Sequence, residues 1–545
     1  MPDHDDDPTS LVNPTASAIH AELLPHGALL RLQAHGVMLN MFPGNLVEGG
    51  PANLWLRLHG DGGRVDVVAL LGPRSPLSPR SPPSPTAPVS SATPLAPAVA
   101  APVVAWSSAG TWCGLPLQLQ LRLATAEAAW FWHLRVHNIG AAPVRIDLIS
   151  AQDIGLAPLD ALRLNEYYVS HYLDLTPLHH PQRGAMVAAR QNQPVAGRHP
   201  WLLMGSLGRA VSYATDALQL LGKTVRCGGL APGLAQGLPG QRLQHEHALA
   251  ALQEESCDLP AGGSTTLGVF GIAVADHPLA TQTADLGHAD RALALPEATP
   301  AWATALTPGR EVQPSLFARA SWLRTIDLSA EEIETLFGPQ RRHEERDAGG
   351  RLLSFFHADA AHVVLGAKEQ VVTRPHGHLL RSGEHAVPDE TALTSTVWMA
   401  GVFHSMVTQG HVAINRLLST VRGALGQFVS MGLRVFVDDG SGWQLLGVPS
   451  AFEMRPDACR WLYRHAGGLL VVSSGVKHRP HQLTLQLRVL SGPPLKLLVT
   501  QHVVLGGDGG VAPAPPLSLR AEGSGLFVGV PADCELSSRF PADAT

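Results

Sequence analysis

Residues 371–390, VVTRPHGHLLRSGEHAVPDE, place His376, His378 and His385 within one short segment, with Arg374 and Arg381 beside the first two. Imidazole and guanidinium groups are directional donors, suited to sugar hydroxyls or to phosphate. In an extended chain, alternate side chains share a face, so Arg374, His376 and His378 are expected to line up. A metal site would need a third and fourth ligand. Only Glu384 and His385 lie nearby in sequence, and Pro375 and Gly377 would bend the strand, so no metal ligand is assigned here. Two roles stay open: histidines satisfied by backbone or carboxylates, and the polar lining of a ligand pocket.

Two further stretches carry usable chemistry. In NEYYVSHY (165–172), Tyr167 and Tyr168 offer aromatic faces that can stack on pyranose rings, while Asn165 and Glu166 can bond hydroxyls. The alternative is a strand-edge turn whose tyrosines anchor a sandwich. ARQNQ (189–193) concentrates amide and guanidinium groups around Arg190. It either bridges two regions structurally or contacts a glycan. No GxSxG, P-loop or GxGxxG motif occurs in a suitable context.

These residues need elements to hold them. A chain of 545 residues exceeds one ordinary core and implies two or three domains. Hydrophobic content of 45% and charged content of 15% fit a globular protein. A net charge of −6 without a basic stripe gives no footprint for nucleic acid. The five cysteines are widely spaced and form no CxxC pair, which suggests neither a zinc site nor a disulfide framework. The N-terminus, MPDHDDDPTS, is acidic where a signal peptide needs a basic start. No apolar run is long enough for a membrane span. The expectation is a cytoplasmic protein without a cofactor.

Most apolar segments are short and alternate. LWLRLHG (54–60), LPLQLQLRLA (115–124), WFWHLRVHNIG (130–140) and RIDLISAQDIG (145–155) read as strands with one buried face. LRVFVDDGSGWQLLG (433–447) reads as a hairpin turning at Asp438-Asp439-Gly440; 469–475 and 481–492 are further strands. Residues 73–102 are rich in proline, which cannot donate to a sheet, so they are expected to form a solvated insertion. In DLSAEEIETLFGPQ (327–340), Ser329 and Glu332 have capping-box spacing and Gly338-Pro339 is a stop signal. With PSLFARASWLR (314–324) this reads as helical connecting structure. No repeat suggests a solenoid, and no strand–helix alternation suggests a parallel α/β sheet.

Several of these stretches resemble one family, the 1,2-β-oligoglucan phosphorylases of glycoside hydrolase family 94. NLWLRL (53–58), 151–178 and 189–224 resemble its N-terminal sandwich. VVLGAKEQVVTRPHGHLLRSG (363–383) and LLGVPSAFEM (445–454) resemble its second β-domain. The resemblance implies an all-β dominated fold: two large antiparallel β-sandwich domains of the galactose-mutarotase-like super-sandwich type, joined by a short helical connector. The expected organisation is a disordered N-terminus (1–14), a first sandwich (15–300), a connector (301–345), a second sandwich (346–510) and a tail or start of a linker (511–545). In the family, phosphate cleaves β-1,2-glucan to glucose 1-phosphate with inversion. An acid on an (α/α)6 barrel beyond the β-domains does this chemistry, and this sequence shows no such barrel.

The resemblance therefore implies a non-catalytic half that scaffolds and contacts β-1,2-glucan or a related oligosaccharide. A separate catalytic polypeptide would be its partner, and inorganic phosphate would enter only in a complete enzyme. The expected substrate contacts are His376, His378, Arg381, Arg374, Asn165, Glu166, Tyr168 and Arg190, with no catalytic residue or metal ligand. Asp153, Glu166 and Glu453 are the acids within the matching motifs; an inverting hydrolase would need two carboxyls about 6.5–9.5 Å apart. The alternatives are a stand-alone carbohydrate-binding protein and a non-functional remnant.

Overall fold

A computed structural model describes residues 9–12, 19–77, 105–229, 231–244, 247–302, 314–358, 360–381, 392–409, 415–418, 430–477, 482–502 and 518–529. The fold is dominated by antiparallel sheets and divides into two units, Met1–Gly222 with Leu230–Ala318, and Lys223–Gly229 with Arg319–Thr545. No described helix is long and apolar enough to cross a membrane.

The first unit is built on a 13-stranded sheet. The expected strands appear as Asn53–His59, Leu115–Leu123, Ala129–His137 and Val144–Asp153. They differ from expectation in burial. Ala129–Leu134 and Ile146–Asp153 are buried at every position, not on one face. The sheet is covered on both sides. On one side Phe131, Trp201 and Phe270 pack with Ala289 and Ala292 of helix Leu286–Leu293. On the other, Trp130 and Trp132 line a cavity with Leu29, Leu54 and Met204. Each such side chain contributes roughly 1.5–3 kcal/mol by burial.

Two polar residues buried in this sheet bond backbone carbonyls. Gln120 donates to Ala301 O at 2.6 Å, and Arg122 to Pro296 O at 3.0 Å. Gly271 sits opposite Trp130, and a Cβ there would come within 2.1 Å of the indole.

The second unit carries a seven-stranded antiparallel sheet, Arg342–Arg346 through Gln482–Ser491, beside two four-stranded sheets. Strand alternation divides its neighbours between two cores. Val364, Phe452, Trp461 and Val472 join Leu380, Val397, Phe403 and Val435 on one face. Val363, Ala451, Leu462 and Val471 join Phe355, Ile333 and Phe337 on the other. Ile333 and Phe337 come from helix Ala330–Phe337, where Ser329 and Glu332 form the expected capping box. The hairpin of 433–447 forms between Leu433–Asp438 and Trp443–Leu445.

Four expectations are corrected. Thr9–Val12, assigned to a disordered N-terminus, pairs as a strand with Ile19–Leu23, its backbone donors being met by that neighbour. In 314–324 only Leu316–Arg319 is helical, and Ser321–Trp322 pairs in parallel with Trp443–Leu445. The proline-rich insertion starts later than residue 73: Ser75 and Leu77 are buried, and Ser75 Oγ donates to Leu70 O at 2.6 Å. Residues 78–104 lie outside the described residues. In the tail, Ser518–Glu522 and Gly525–Gly529 form a hairpin.

Candidate functional site

The histidine segment lies in the second unit. Helix Gly366–Val371 ends just before it, and its Glu369 is fully buried. The strand begins only at Gly377, where a Cβ would meet the Trp398 ring at 2.7 Å. His376 therefore precedes the strand and turns back: its Nδ1 is 2.6 Å from Glu369 Oε2, and its amide donates to the same oxygen at 3.2 Å. His378, on the strand, donates from Nε2 to Arg455 O at 2.8 Å. The shared face expected for His376 and His378 is lost because Pro375 and Gly377 interrupt the extended run. Arg374 is exposed and Arg381 half-buried. Glu384 and His385 lie outside the described residues.

Arg455 leads to a buried carboxylate. Glu453 has no exposed surface; it accepts from Arg455 Nε at 3.0 Å, His357 Nε2 at 2.9 Å, and Arg460. Burial pushes its carboxyl up, but the bonds from Arg460 and Arg455 outweigh this and hold it below the ordinary range. Such an acid is a structural hub, not a free proton donor.

In the first unit, NEYYVSHY lies within helix Leu159–His171 up to its C-cap Tyr172, where a strand-edge turn was the alternative expected. The helix breaks at Asn165 (φ −161, ψ 89), whose Oδ1 accepts from Tyr168 N at 3.1 Å and so caps the next turn. The helical spacing brings Tyr168 and Tyr172 together, rings 5.0 Å apart. Both are exposed, at 47% and 39%. Tyr167 turns inward against His247, 5.2 Å between rings, and Glu166 is buried.

Arg190 is buried on strand Gly184–Gln191. It donates from Nε to His277 O at 2.7 Å, to Pro278 O at 3.0 Å, and to Asn192 Oδ1. Asn192 N in turn donates to Tyr172 O at 2.9 Å. ARQNQ thus ties the end of the tyrosine helix to the loop at His277. Asn165, Glu166, Tyr168 and Arg190 belong to the first unit; Arg374, His376, His378 and Arg381 belong to the second.

Asp153, the third acid of the matching motifs, is buried, and its Oδ2 accepts from Met41 N at 2.9 Å and Phe42 N at 2.7 Å. Burial outweighs these bonds and pushes its carboxyl up to about 7. Glu254 behaves alike, up to about 7, against Ser206 and Gly268. Sequence reasoning missed Glu254 because nothing in its neighbourhood distinguishes it. It also missed a group formed by His277, Asp285 and His288, because these are spread over twelve positions and form no closely spaced motif.

Comparison with known proteins follows the same division. Residues 22–81 and 96–271 match the SOGP N-terminal domain, and residues 338–542 match the glycoside phosphorylase supersandwich domain. By these two matches the chain is similar to the glycoside phosphorylases. It is 27% identical over 495 residues to a 1,2-β-oligoglucan phosphorylase of Listeria innocua serovar 6a. The match takes in 90% of this chain and 41% of that enzyme, so the chain spans about two fifths of that relative. The supersandwich match runs through the hairpin at 518–529, and so absorbs most of the expected tail. Among solved structures, a galactose mutarotase-like protein from Clostridium acetobutylicum aligns at 10% identity and TM-score 0.23, over 48% of this chain and 93% of its own. A bacterial glucoamylase aligns at 6% identity and TM-score 0.29, over 53% and 36%.

Proposed function

We propose that these β-domains form the substrate-contacting scaffold of a 1,2-β-oligoglucan phosphorylase-like enzyme, with the proton donor lying outside them. The observation that carries this reading is the collinear match of both domains to the 1,2-β-oligoglucan phosphorylase over 90% of the chain. The burial of the acids supports it. Asp153, Glu166 and Glu453 are 2%, 8% and 0% exposed, and a general acid must reach the glycosidic oxygen within hydrogen-bond distance. The ligands of such an enzyme are a β-1,2-linked oligosaccharide and inorganic phosphate.

Within the scaffold, the exposed pair Tyr168 and Tyr172 is the proposed stacking surface for a sugar, with Asn165 and Arg190 holding its helix and the following loop. In the second unit, Arg374 and His376 are the proposed contacts to sugar or phosphate. Glu369 engages His376 Nδ1 and leaves Nε2 for a ligand. His378 anchors the strand through Arg455 O.

The test is incubation of the chain alone with phosphate and β-1,2-glucooligosaccharides. No steady release of glucose 1-phosphate is expected. Release abolished by Glu166→Gln or Glu453→Gln would place the chemistry in these domains. The exposed tyrosine pair equally favours a second reading, a carbohydrate-binding protein that needs no enzyme partner. Binding of β-1,2-glucan that Tyr168→Ala removes, without any catalytic partner restoring phosphorolysis, would select it.

A further inference from the structure

In the first unit, a ligand atom from each of His277, Asp285 and His288 lies within 4.8 Å of the other two. The surroundings of His277 fix which ring nitrogen faces Asp285. Its Nδ1 is 2.8 Å from Leu279 O; a carbonyl only accepts, so Nδ1 carries the hydrogen. Nε2 then faces Asp285 Oδ1, 3.0 Å away, a separation at which both can ligate one cation. The other carboxylate oxygen, Oδ2, accepts from Gln282 N at 2.7 Å, which fixes the carboxylate's orientation.

A supporting layer holds the group in place. The fully buried Trp201 stacks on His277 at 5.1 Å and 13°, and its ring is 5.0 Å from His288. Arg190 pins the carbonyls of His277 and Pro278. A backbone carbonyl on the distal imidazole nitrogen and an oriented carboxylate are what metal-bound histidines require. One group competes. Arg291 donates to His288 Nδ1 at 3.1 Å. Its side chain is 53% exposed and its Nε is 3.6 Å from Glu127 Oε1, so it can withdraw to Glu127.

We propose that His277, Asp285 and His288 bind a divalent transition-metal ion of the zinc class, with a fourth position left to water. Two imidazoles and one carboxylate suit zinc; calcium and magnesium demand mostly oxygen ligands. The ion would fasten the loop after strand Ser264–Val274 to helix Leu286–Leu293, whose Ala289 and Ala292 pack in the core.

The full chain, stripped with chelator and dialysed, is titrated with zinc against a chromophoric competitor, and its melting is followed. One tight zinc per chain is expected, with a rise in Tm of about 4 °C at 100-fold excess over Kd. Asp285→Asn and His288→Gln should each weaken zinc binding by roughly 10-fold or more, while His378→Ala leaves it unchanged and Arg291→Ala strengthens it. No stoichiometric zinc, or binding indifferent to both ligand variants, overturns the site. Should the variants fail to fold, cobalt(II) loading of the unaltered chain decides. Strong four-coordinate absorption bands displaced by zinc uphold the proposal, and only the pale spectrum of six-coordinate cobalt refutes it.

Discussion

Replacing Asp153 by asparagine tests whether a buried acid of the matching motifs is a structural latch. Its Oδ2 receives the amides of Met41 and Phe42, and an asparagine oxygen can receive both. The difference lies in charge. Raising this carboxyl from its ordinary 3.8 to about 7 corresponds to on the order of 4 kcal/mol, an upper figure because local relaxation reduces it. The sign follows from proton binding. Between pH 4 and 7 the folded state keeps a proton that the unfolded state has released. Stability is therefore full near pH 4 and falls as pH rises through 7. The neutral amide of the variant resembles the protonated acid and escapes this loss. Calorimetry at pH 4 and pH 8 should show the first unit of Asp153→Asn melting near the unaltered protein at pH 4 and roughly 3–6 °C above it at pH 8. Glu254, also raised to about 7, leaves a residual slope of the same sign. Equal destabilisation at both pH values would show that the carboxylate is ionised and needed as such.

Ser329→Ala removes the capping box of helix Ala330–Phe337 and should cost about 1 kcal/mol, read by chemical denaturation as a lower midpoint for the second unit. Gly271→Ala drives a methyl into Trp130 at 2.1 Å and should destabilise the first unit by roughly 1–3 kcal/mol or more, without loss in the second. His376→Ala takes the ring from the fully buried Glu369; a loss of roughly 1–3 kcal/mol is expected in urea titration, and an unchanged midpoint would mean the pair contributes nothing. Replacing residues 78–100 by a short Gly-Ser linker should leave Tm nearly unchanged, since loop length costs only about 0.6 kcal/mol per doubling.

How much of this was legible follows from the range of the interactions. Period-2 alternation marks a strand locally, so the sheets around 115–153 and 433–491 could be read directly. Ser329 and Glu332 mark a helix start within four residues. Burial on the second face could not be read, because it depends on what lies 174 and 181 positions away. Gln120 and Arg122 look like solvent-facing residues, yet they are 2% and 5% exposed and bonded to Ala301 and Pro296. NEYYVSHY misled for the opposite reason. Its aromatic and β-branched content argues for strand, and the cap from Asn165 to Tyr168 overrides it. The partners of His376 and His378 divide in the same way. Glu369 is seven positions from His376, while Arg455 is brought to His378 only by the sheet.

Three polar residues of the phosphorylase-like motifs share one employment in this structure. Arg190 holds the carbonyls of His277 and Pro278, His378 holds Arg455, and Asp153 holds the amides of Met41 and Phe42. Each satisfies backbone groups in a loop or at a strand end, and leaving such a group unpaired costs about 1–3 kcal/mol. A side chain so engaged has little left for a ligand. A sugar is better met by groups whose loss the fold would not register. Tyr168 and Tyr172, exposed and packed on one another at 5.0 Å, fit that description. Substitutions at the two classes should therefore separate: Arg190→Met lowers Tm, whereas Tyr168→Ala leaves Tm unchanged and weakens glucan binding. A Tyr168→Ala protein that melts early and binds glucan normally would reverse the assignment.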